Sequence, residues 1–327
     1  MNNTVNLIQA APPAPEVVNV VRKYILFSEG IISLILNLAV LGVILYRRSL
    51  LFNVSGIAVL VLTILDAANA AATLYGNIRF YLNIFANHPA DCHIRGSTTS
   101  FFIFSSIWMV AILAYSRYDT VISTKEGKGK SLLFWSLLGG VPMLIMLVFC
   151  IAVGAQSKFF KMPIGRCMLV DALHIDPLVM AAQIFQLTFF LSTLVIVSFC
   201  YTAIATVHKK ALKKVSPIAL SNLSDDKTIG YHEEIPEVNV KKLSRKVYIK
   251  IGIMLFFYYL CLFPTIGFEI HELITVSVRS IEADAVTAGL LIFLGVMNPL
   301  MVLVLHEQIK LTMVEILMNI RHFFFRF

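Results

Sequence analysis

The chain has 327 residues, of which 58% are hydrophobic and 14% charged, and its formal net charge is +8. Soluble domains contain about 45–50% apolar and about 25% charged residues, so this composition excludes an ordinary soluble protein. The apolar residues fall in blocks of the length that a helix needs to cross a bilayer. We therefore predict a polytopic membrane protein, and we attribute the positive charge to its inner face rather than to nucleic-acid binding.

Residues 1–23 precede the first apolar block and are predicted to be an extracellular N-terminal segment. They contain no basic region followed by an apolar core, so we expect no cleaved signal peptide. Asn2 begins a glycosylation sequon, which favours an outside location for this end. Two further sequons begin at Asn53 and Asn222, and we expect both to face the cytoplasm.

Seven apolar blocks follow, and each is predicted to form a transmembrane helix. They cover residues 24–46, 51–75, 97–119, 131–153, 177–207, 247–270 and 285–305. Residues 208–246 are the longest polar stretch and are predicted to be a cytoplasmic loop. Residues 306–327 have the pattern of an amphipathic helix on the inner membrane face. The predicted fold is an all-α membrane protein, a seven-transmembrane helix bundle with a short amphipathic C-terminal helix.

The distribution of basic residues orients this bundle. Most of the 27 Lys and Arg residues fall in segments that are cytoplasmic if the amino terminus is outside. Positive charge favours the cytoplasmic side of a membrane. We therefore predict an outside amino terminus and a cytoplasmic carboxyl terminus.

The third block carries the most informative pattern. It is preceded by Cys92 and closed by the triplet Ser116-Arg117-Tyr118, with Arg117 lying 25 positions after Cys92. At about 1.5 Å per residue, a helix of this length spans about 37 Å, which is one bilayer. This pattern resembles the third helix of rhodopsin-like (class A) G-protein-coupled receptors. In that family a cysteine caps the outer end, and an acidic residue, an arginine and a tyrosine close the inner end.

The resemblance covers nearly the whole chain, because the other blocks and loops carry further residues of the family pattern in the family's order. These residues are Asn37, Asp66, Trp135, Cys167, Tyr201, Cys261 with Pro264, and Asn298 with Pro299. Two aromatic residues of the pattern are missing. Leu262 replaces the sixth-helix tryptophan, and Val302 replaces the tyrosine of the seventh-helix motif. The chain is identified as a divergent member of this family.

The resemblance implies a cell-surface receptor at the plasma membrane that transmits binding of an extracellular ligand to a cytoplasmic heterotrimeric G protein. It implies a receptor rather than an enzyme, with a disulfide between Cys92 and Cys167. Pro264 and Pro299 remove backbone hydrogen bonds and let helices six and seven bend. The residues expected to serve coupling and activation are Ser116, Arg117, Tyr118, Tyr201, Lys246, Lys250, Pro264, Asn298 and Pro299.

Serines stand at two positions where many members of the family carry acidic residues that hold the third-helix arginine inactive. Ser116 occupies the first of these positions and Ser244 the second. Neither side chain can form an ion pair with Arg117, and serine hydrogen bonds lack charge-assisted strength. We therefore expect measurable ligand-independent signalling, unless Asp119 or another contact takes over the restraint.

Asn37, Asp66 and Asn298 are polar groups at similar depth in three different blocks. An unpaired polar group is costly inside a membrane, and an intramembrane carboxylate marks a functional candidate. We predict that the three form a buried hydrogen-bonded cluster that could hold water or a sodium ion. The alternative is that they serve only helix packing.

The ligand class can be narrowed only by exclusion. Ile292 stands at the position of the helix-seven lysine that binds retinal, so we expect no retinal and no other cofactor. Thr99 stands where amine receptors carry an aspartate. Candidates for a pocket that binds a small molecule or a peptide are Arg95, Thr99, Ser100, Ile103, Phe104, Glu269 and His271. Interhelical packing is an equally good explanation for each of them.

A transporter or channel for a small solute is the alternative function. It predicts several ionisable groups along a pathway, whereas the blocks carry little beyond Asp66, Glu29 and Glu269. A membrane enzyme would need His, Asp or Cys clustered at depth. The eight histidines all fall at or beyond the edges of the blocks.

Overall fold

The computed structural model describes residues 21–81, 89–123, 130–155, 159–161, 167–169, 177–221, 237–275 and 280–324. Seven helices in this part of the chain are long and apolar enough to cross a membrane. They are α1 (Phe27–Tyr46), α2 (Val54–Tyr81), α3 (Pro89–Ser123), α4 (Leu132–Ala155), α5 (Pro177–Ser221), α6 (Glu237–Thr275) and α7 (Ile281–Leu305). An eighth helix, α8 (Glu307–Phe324), follows α7 after the single residue His306. The predicted seven-helix bundle with a C-terminal helix is confirmed.

Two short helical turns accompany α1. A π-helical turn, Val21–Leu26, leads into it, and a 3-10 turn, Arg48–Phe52, connects it to α2. The helices then pack in chain order, and α7 closes the bundle by packing against α1. α3 contacts α2, α4 and α5 and has the largest buried share of the seven, whereas α4 has the smallest. The outward face of α4 exposes Leu133, Leu137 and Leu144, as lipid contact allows.

Two large buried apolar clusters lie in the described part of the bundle. One lies between α3, α5 and α6 and includes Ile107, Phe190 and Leu262. The other joins α1, α2 and α3 with Val302 of α7 and Ile309 of α8. Leu262 and Val302, which replace family aromatics, are thus apolar core residues in this chain.

Two helices extend beyond the predicted apolar blocks at the end of the bundle that the sequence predicts to face the cytoplasm, which is called the inner end below. α5 continues to Ser221 and α6 begins at Glu237, so much of the predicted loop 208–246 is helical. A search for apolar length misses these extensions because their Lys, Ala and Leu residues are good helix formers that need no membrane.

The segment between α4 and α5 adds a short pair of antiparallel strands to the helical bundle. Its strands are β1 (Phe159–Lys161) and β2 (Cys167–Leu169), with Phe160 opposite Met168. Both strands lie against α3. Three-residue strands are shorter than the alternating runs from which a strand can be predicted.

Two glycines leave room for neighbouring groups to approach the backbone closely. A Cβ atom at Gly56 would lie 1.8 Å from the carbonyl oxygen of Leu50. The backbone N–H of Gly56 donates to Asn53 Oδ1 at 2.6 Å, so Asn53 caps the start of α2. At the outer end of α4, a Cβ at Gly154 would lie 2.2 Å from Ser97 Oγ of α3.

α8 has the amphipathic character that the sequence predicts. Its buried side includes Ile309 and Thr312, and Arg47 Nη1 at the end of α1 donates to Thr312 Oγ1 at 3.0 Å. Leu311, Leu317 and other large apolar side chains on the opposite side are exposed. This apolar face suits the boundary between headgroups and acyl chains.

Candidate functional site

The inner end of the bundle encloses a cavity of about 890 Å³. Its walls come from α2, α3, α5, α6 and α7, so that every helix expected to move during activation contributes to it. Arg117, Tyr201, Lys250 and His306 all line this space. The structure therefore brings together several residues that the sequence assigned to coupling, and it adds His306.

Arg117 makes no ion pair with any residue that the structure describes, although acidic and polar groups lie close to it in sequence. The hydroxyl of Ser116 donates instead to the Leu113 carbonyl at 2.9 Å. The carboxylate of Asp119 lies 3.9 Å from Lys130 Nζ. Asp119 is thus paired with Lys130 rather than with Arg117 in the described part of the chain. The guanidinium interacts with the hydroxyl of Tyr201 on α5.

Lys130 is held by more than its ion pair with Asp119. Its ammonium donates to the Tyr115 hydroxyl and lies 4.3 Å from the centroid of the Tyr115 ring. The Phe134 ring at the start of α4 lies on another side, 4.7 Å away. These cation–π contacts fix Lys130 where it keeps Asp119 occupied.

His306 lies at the junction of α7 and α8. Burial, with the positive charge of Arg117 adding to it, lowers the pKa of His306 from its ordinary value of 6.5 to about 3. The imidazole is therefore neutral at physiological pH. Its Nε2 is buried without a hydrogen-bond partner in the described part of the chain.

Three contacts attach the inner half of α6 to its neighbours. Lys250 Nζ donates to the Val304 carbonyl near the end of α7 at 3.0 Å. The Tyr248 hydroxyl donates to the Ala205 carbonyl of α5 at 3.0 Å. Further out, α5 and α6 are joined by Ser198 and Tyr259, whose hydroxyls lie 2.5 Å apart. All three contacts would have to break or shift for α6 to move.

At mid-membrane depth, the carboxylate of Asp66 is shared by two donors from other helices. Asn298 Nδ2 of α7 donates to Asp66 Oδ2 at 2.9 Å, and the hydroxyl of Ser106 on α3 donates to Oδ1. Asn298 Nδ2 also lies 3.3 Å from Ser106 Oγ. The sequence predicted the pair Asp66 and Asn298 but missed Ser106. Its signal was a polar Ser-Ser pair inside an apolar block.

Asn37 lies beside this cluster but bonds elsewhere. Its Nδ2 donates to the carbonyl of Gly295 on α7 at 3.1 Å and to the Ser33 carbonyl at 2.8 Å. The Gly295 carbonyl is free because Pro299, four residues later, has no N–H to donate. The predicted three-residue cluster is therefore a Ser106-containing triad with Asn37 attached to the neighbouring backbone.

A second proline supports another helix contact in the same way. Pro142 in α4 frees the carbonyl of Leu138. Trp108 Nε1 of α3 donates to that carbonyl at 3.1 Å. Trp135 on α4 packs against the ring of Tyr115, with centroids 5.3 Å apart. Prolines that were expected only to bend helices thus also present carbonyls to their neighbours.

Comparison with known proteins decides the family. Residues 36–301 match the profile of the family described as 7 transmembrane receptor (rhodopsin family). The chain belongs to this family. The match runs from the residue before Asn37 to beyond Pro299, so it covers the triad, Arg117 and the prolines of α6 and α7. No curated protein matches the chain.

In the receptor's outer half, aromatic packing and one interhelical hydrogen bond surround several of the predicted pocket residues. Phe104 is buried against Phe189 and Phe190 of α5, with ring centroids 5.8 and 5.2 Å away. Glu269 is also buried, and Gln186 Nε2 of α5 donates to its carboxylate at 3.1 Å. Sequence reasoning missed Gln186, which stands out only as an amide in an apolar block.

The other predicted pocket residues are distributed unevenly. Ser100 lines a cavity of about 30 Å³ together with Phe104 and Gln186. Ile103 is buried, and Arg95 and Thr99 are half-buried. His271 is exposed and contacts Thr275 on its own helix, which places it at the rim of the receptor rather than in its interior.

Several predicted residues lie outside the described side chains. They are Asn2, Cys92, Cys167, Ser244 and Lys246. The glycan on Asn2 and the disulfide stay predictions. β2, which begins at Cys167, packs against α3, the helix that contains Cys92. Among the described residues, no group of three or more His, Cys, Asp or Glu could hold a metal ion.

Proposed function

We propose that this receptor transmits binding of an extracellular ligand to a cytoplasmic heterotrimeric G protein. The observation that carries the proposal is the inner cavity of about 890 Å³, with Arg117 on its wall and no carboxylate paired to it in the described structure. A space of this size between α3, α5, α6 and α7 suits a partner element inserted from the cytoplasm. Such an element would contact residues from several helices at once.

The electrostatics of the cavity favour a partner with acceptor groups. Arg117, Lys130 and Lys250 line it. Asp119 also lines it and pairs with Lys130, whereas Lys250 is held by a backbone carbonyl rather than by an acid. An incoming helix exposes backbone carbonyls at its carboxyl end, and that end carries the negative pole of the helix dipole. A partner helix that enters the cavity with its carboxyl end first would therefore interact favourably with these cations.

Movement of α6 and α7 provides the switch in this proposal. α6 contains Pro264 and α7 contains Pro299, so each helix lacks one internal hydrogen bond. The contacts of Lys250 and Tyr248 hold α6 against its neighbours at the inner end. A ligand that binds better when α6 and α7 are bent shifts the receptor toward that bent state. The size of the shift is set by the difference between the ligand's affinities for the bent and unbent states.

The proposed site of the ligand is the outer half, on the side of the amino terminus and the plasma-membrane exterior. Glu269, Gln186 and Ser100 supply polar groups there beside aromatic side chains. Position 292 offers no amine for covalent attachment, because it is an isoleucine, and its side chain is buried against Leu26 and Ala288. We propose a non-covalently bound small molecule or peptide, without a resident cofactor.

The test is a second-messenger assay in cells that express the receptor with matched surface levels. Arg117→Ala should abolish G-protein signalling, at least tenfold below wild type, while surface expression is retained. Arg48→Ala is the control, because it removes an exposed arginine from the same membrane face outside the cavity. If Arg117→Ala signals as strongly as Arg48→Ala, Arg117 only anchors α3 at the membrane boundary.

A further inference from the structure

Lys250 of α6 binds the carboxyl end of another transmembrane helix. Its Nζ donates to the carbonyl oxygen of Val304 at 3.0 Å, and Val304 is the last residue but one of α7. The last four carbonyls of a helix have no N–H partner within that helix. A donor from α6 therefore satisfies a carbonyl that α7 itself leaves open.

The charge of Lys250 suits this position as well as its N–H donors do. The carboxyl end of a helix carries the negative pole of the helix dipole, and a cation there is stabilising. The last turn of α7 contains no basic residue of its own. His306, which follows it, is a neutral imidazole, because burial and the charge of Arg117 lower its pKa to about 3. Lys250 thus brings from α6 a cation that the last turn of α7 lacks.

This contact requires the inner ends of α6 and α7 to lie together. Pro264 removes a backbone hydrogen bond further out along α6, so a bend there displaces the segment that carries Lys250. A movement of this segment away from α7 breaks the bond to Val304. The contact therefore stabilises the closed arrangement, in which Lys250 binds Val304, over an open one.

The same lysine faces the cavity that the partner is proposed to enter. Lys250 is exposed, and it lines the cavity together with Arg117. A partner helix that enters with its carboxyl end first brings open carbonyls and a negative pole, as the end of α7 does. The partner thus offers Lys250 the same kind of group that the lysine loses when α6 moves.

We propose that Lys250 exchanges one helix end for another during coupling. In the closed arrangement it binds the carboxyl end of α7, and in the open arrangement it binds the carboxyl end of the partner helix. Lys250 is thereby a positioning residue for α6 that restrains the receptor without the acidic partners Arg117 lacks. The closed half of this exchange stands on the observed contact, whereas the open half rests on the proposed function.

The position of α6 in the full-length receptor, in nanodiscs and without a partner, tests the closed half. Spin labels at Arg245→Cys on α6 and Leu132→Cys on α4, both exposed positions, report the distance between the inner ends of these helices. The native cysteines Cys150, Cys200 and Cys261 are buried free thiols that the label does not reach. Lys250→Met should raise the ratio of open to closed distances about two- to fivefold, as expected for loss of a cation at a helix end.

Two variants control for the charge and for its place. Lys250→Arg keeps a cation with N–H donors and should stay close to wild type. Lys310→Met removes an exposed lysine of α8 at the same end of the bundle, outside the cavity, and should also leave the distances unchanged. The inference is overturned if Lys250→Met has the wild-type distances, or if either control opens α6 as much as Lys250→Met does.

Nucleotide exchange with a purified heterotrimer tests the open half. The heterotrimer concentration that half-saturates exchange, multiplied by the open fraction from the spin labels, gives the affinity for the open receptor alone. This corrected concentration should be about two- to fivefold higher in Lys250→Met than in wild type, because the partner helix loses a cation. An unchanged or lower corrected concentration overturns the exchange. If the receptor couples to no G protein, exchange stays at background in every variant while the change in spin-label distance remains, so the two failures are distinguishable.

Discussion

Arg117 lies on the wall of the cavity and pairs with neither Ser116 nor Asp119 of its own helix in the described structure. Ser116 donates to its own helix, and Asp119 pairs with Lys130. The sequence left open whether Asp119 takes over the restraint. The structure disfavours that alternative, because the Asp119 carboxylate lies beside a different cation, Lys130.

Restoring an acidic neighbour should therefore reduce ligand-independent signalling. Ser116→Asp places a carboxylate next to the Arg117 guanidinium at a position that is 2% exposed, where a charge pair is weakly screened. A gain of about 1.4 kcal/mol for the inactive state lowers basal signalling about tenfold. Second-messenger output at matched surface expression is the measurement. Ser131→Asp, an exposed position outside the cavity, is the control, and an equal fall in both variants would contradict the role of Arg117.

The two adjacent serines of α3 provide a matched test of the triad. Ser106→Ala removes a donor from the buried Asp66 carboxylate and should cost about 1–3 kcal/mol of stability. Ser105 is equally buried, but its hydroxyl has no hydrogen-bond partner in the described part of the chain. Ser105→Ala should therefore leave Tm unchanged or raise it. Equal losses of Tm in the two variants would show that Asp66 does not depend on Ser106.

At the scale of helices, length and order could be predicted from the sequence, whereas rotation could not. Apolar blocks fix where a membrane helix runs, since the bilayer sets the length. Which of Ser105 and Ser106 faces Asp66 depends on the rotation of α3 against α2. That rotation is decided by packing such as the close approach at Gly154. The same limit explains why Gln186 was missed.

The prolines show a second limit at this scale. The sequence predicts that Pro299 removes a backbone hydrogen bond, but it cannot name the group that uses the freed carbonyl. The structure shows that Asn37 of α1 occupies the carbonyl of Gly295. Asn37, which was predicted to join the cluster around Asp66, thus binds a backbone carbonyl instead.

The junction between α7 and α8 makes stability depend on pH. The folded pKa of His306 is about 3, below its ordinary value of 6.5, so the unfolded chain binds more protons between these two values. The stabilisation from the neutral, buried imidazole is complete above pH 6.5 and is lost as pH falls toward 3. At pH 5 the loss is about 2 kcal/mol.

We predict that His306→Gln flattens this dependence. The fall in Tm between pH 7 and pH 5 should be smaller in His306→Gln than in wild type, because glutamine does not titrate. His271→Gln is the control, since His271 is exposed at the other end of the bundle. Thermal unfolding of the purified receptor across this range is the measurement, and identical pH profiles for wild type and His306→Gln would contradict the assignment.

At the scale of the whole molecule, polar side chains occur at intervals between Asp66 at mid-membrane and Arg117 at the inner cavity. Asn298 binds Asp66 and lines a small separate cavity with Tyr258 and Tyr201, and Tyr201 interacts with Arg117. Family membership could be predicted from the joint pattern of motifs. The replacements Leu262 and Val302 gave no indication of which side chains fill the interior in place of the family's aromatic residues, because that depends on side chains from α3, α5 and α6.

Nucleotide exchange on purified G proteins tests the central claim most directly. The full-length receptor in lipid nanodiscs is mixed with heterotrimers of each major class, and binding of a non-hydrolysable GTP analogue is followed without added ligand. We predict that wild type accelerates exchange on at least one class above empty nanodiscs, and that Arg117→Ala, with an unchanged Tm, returns exchange to that background. Exchange at the background rate with wild type for every class, or equal acceleration by wild type and Arg117→Ala, would contradict the coupling role of the inner cavity.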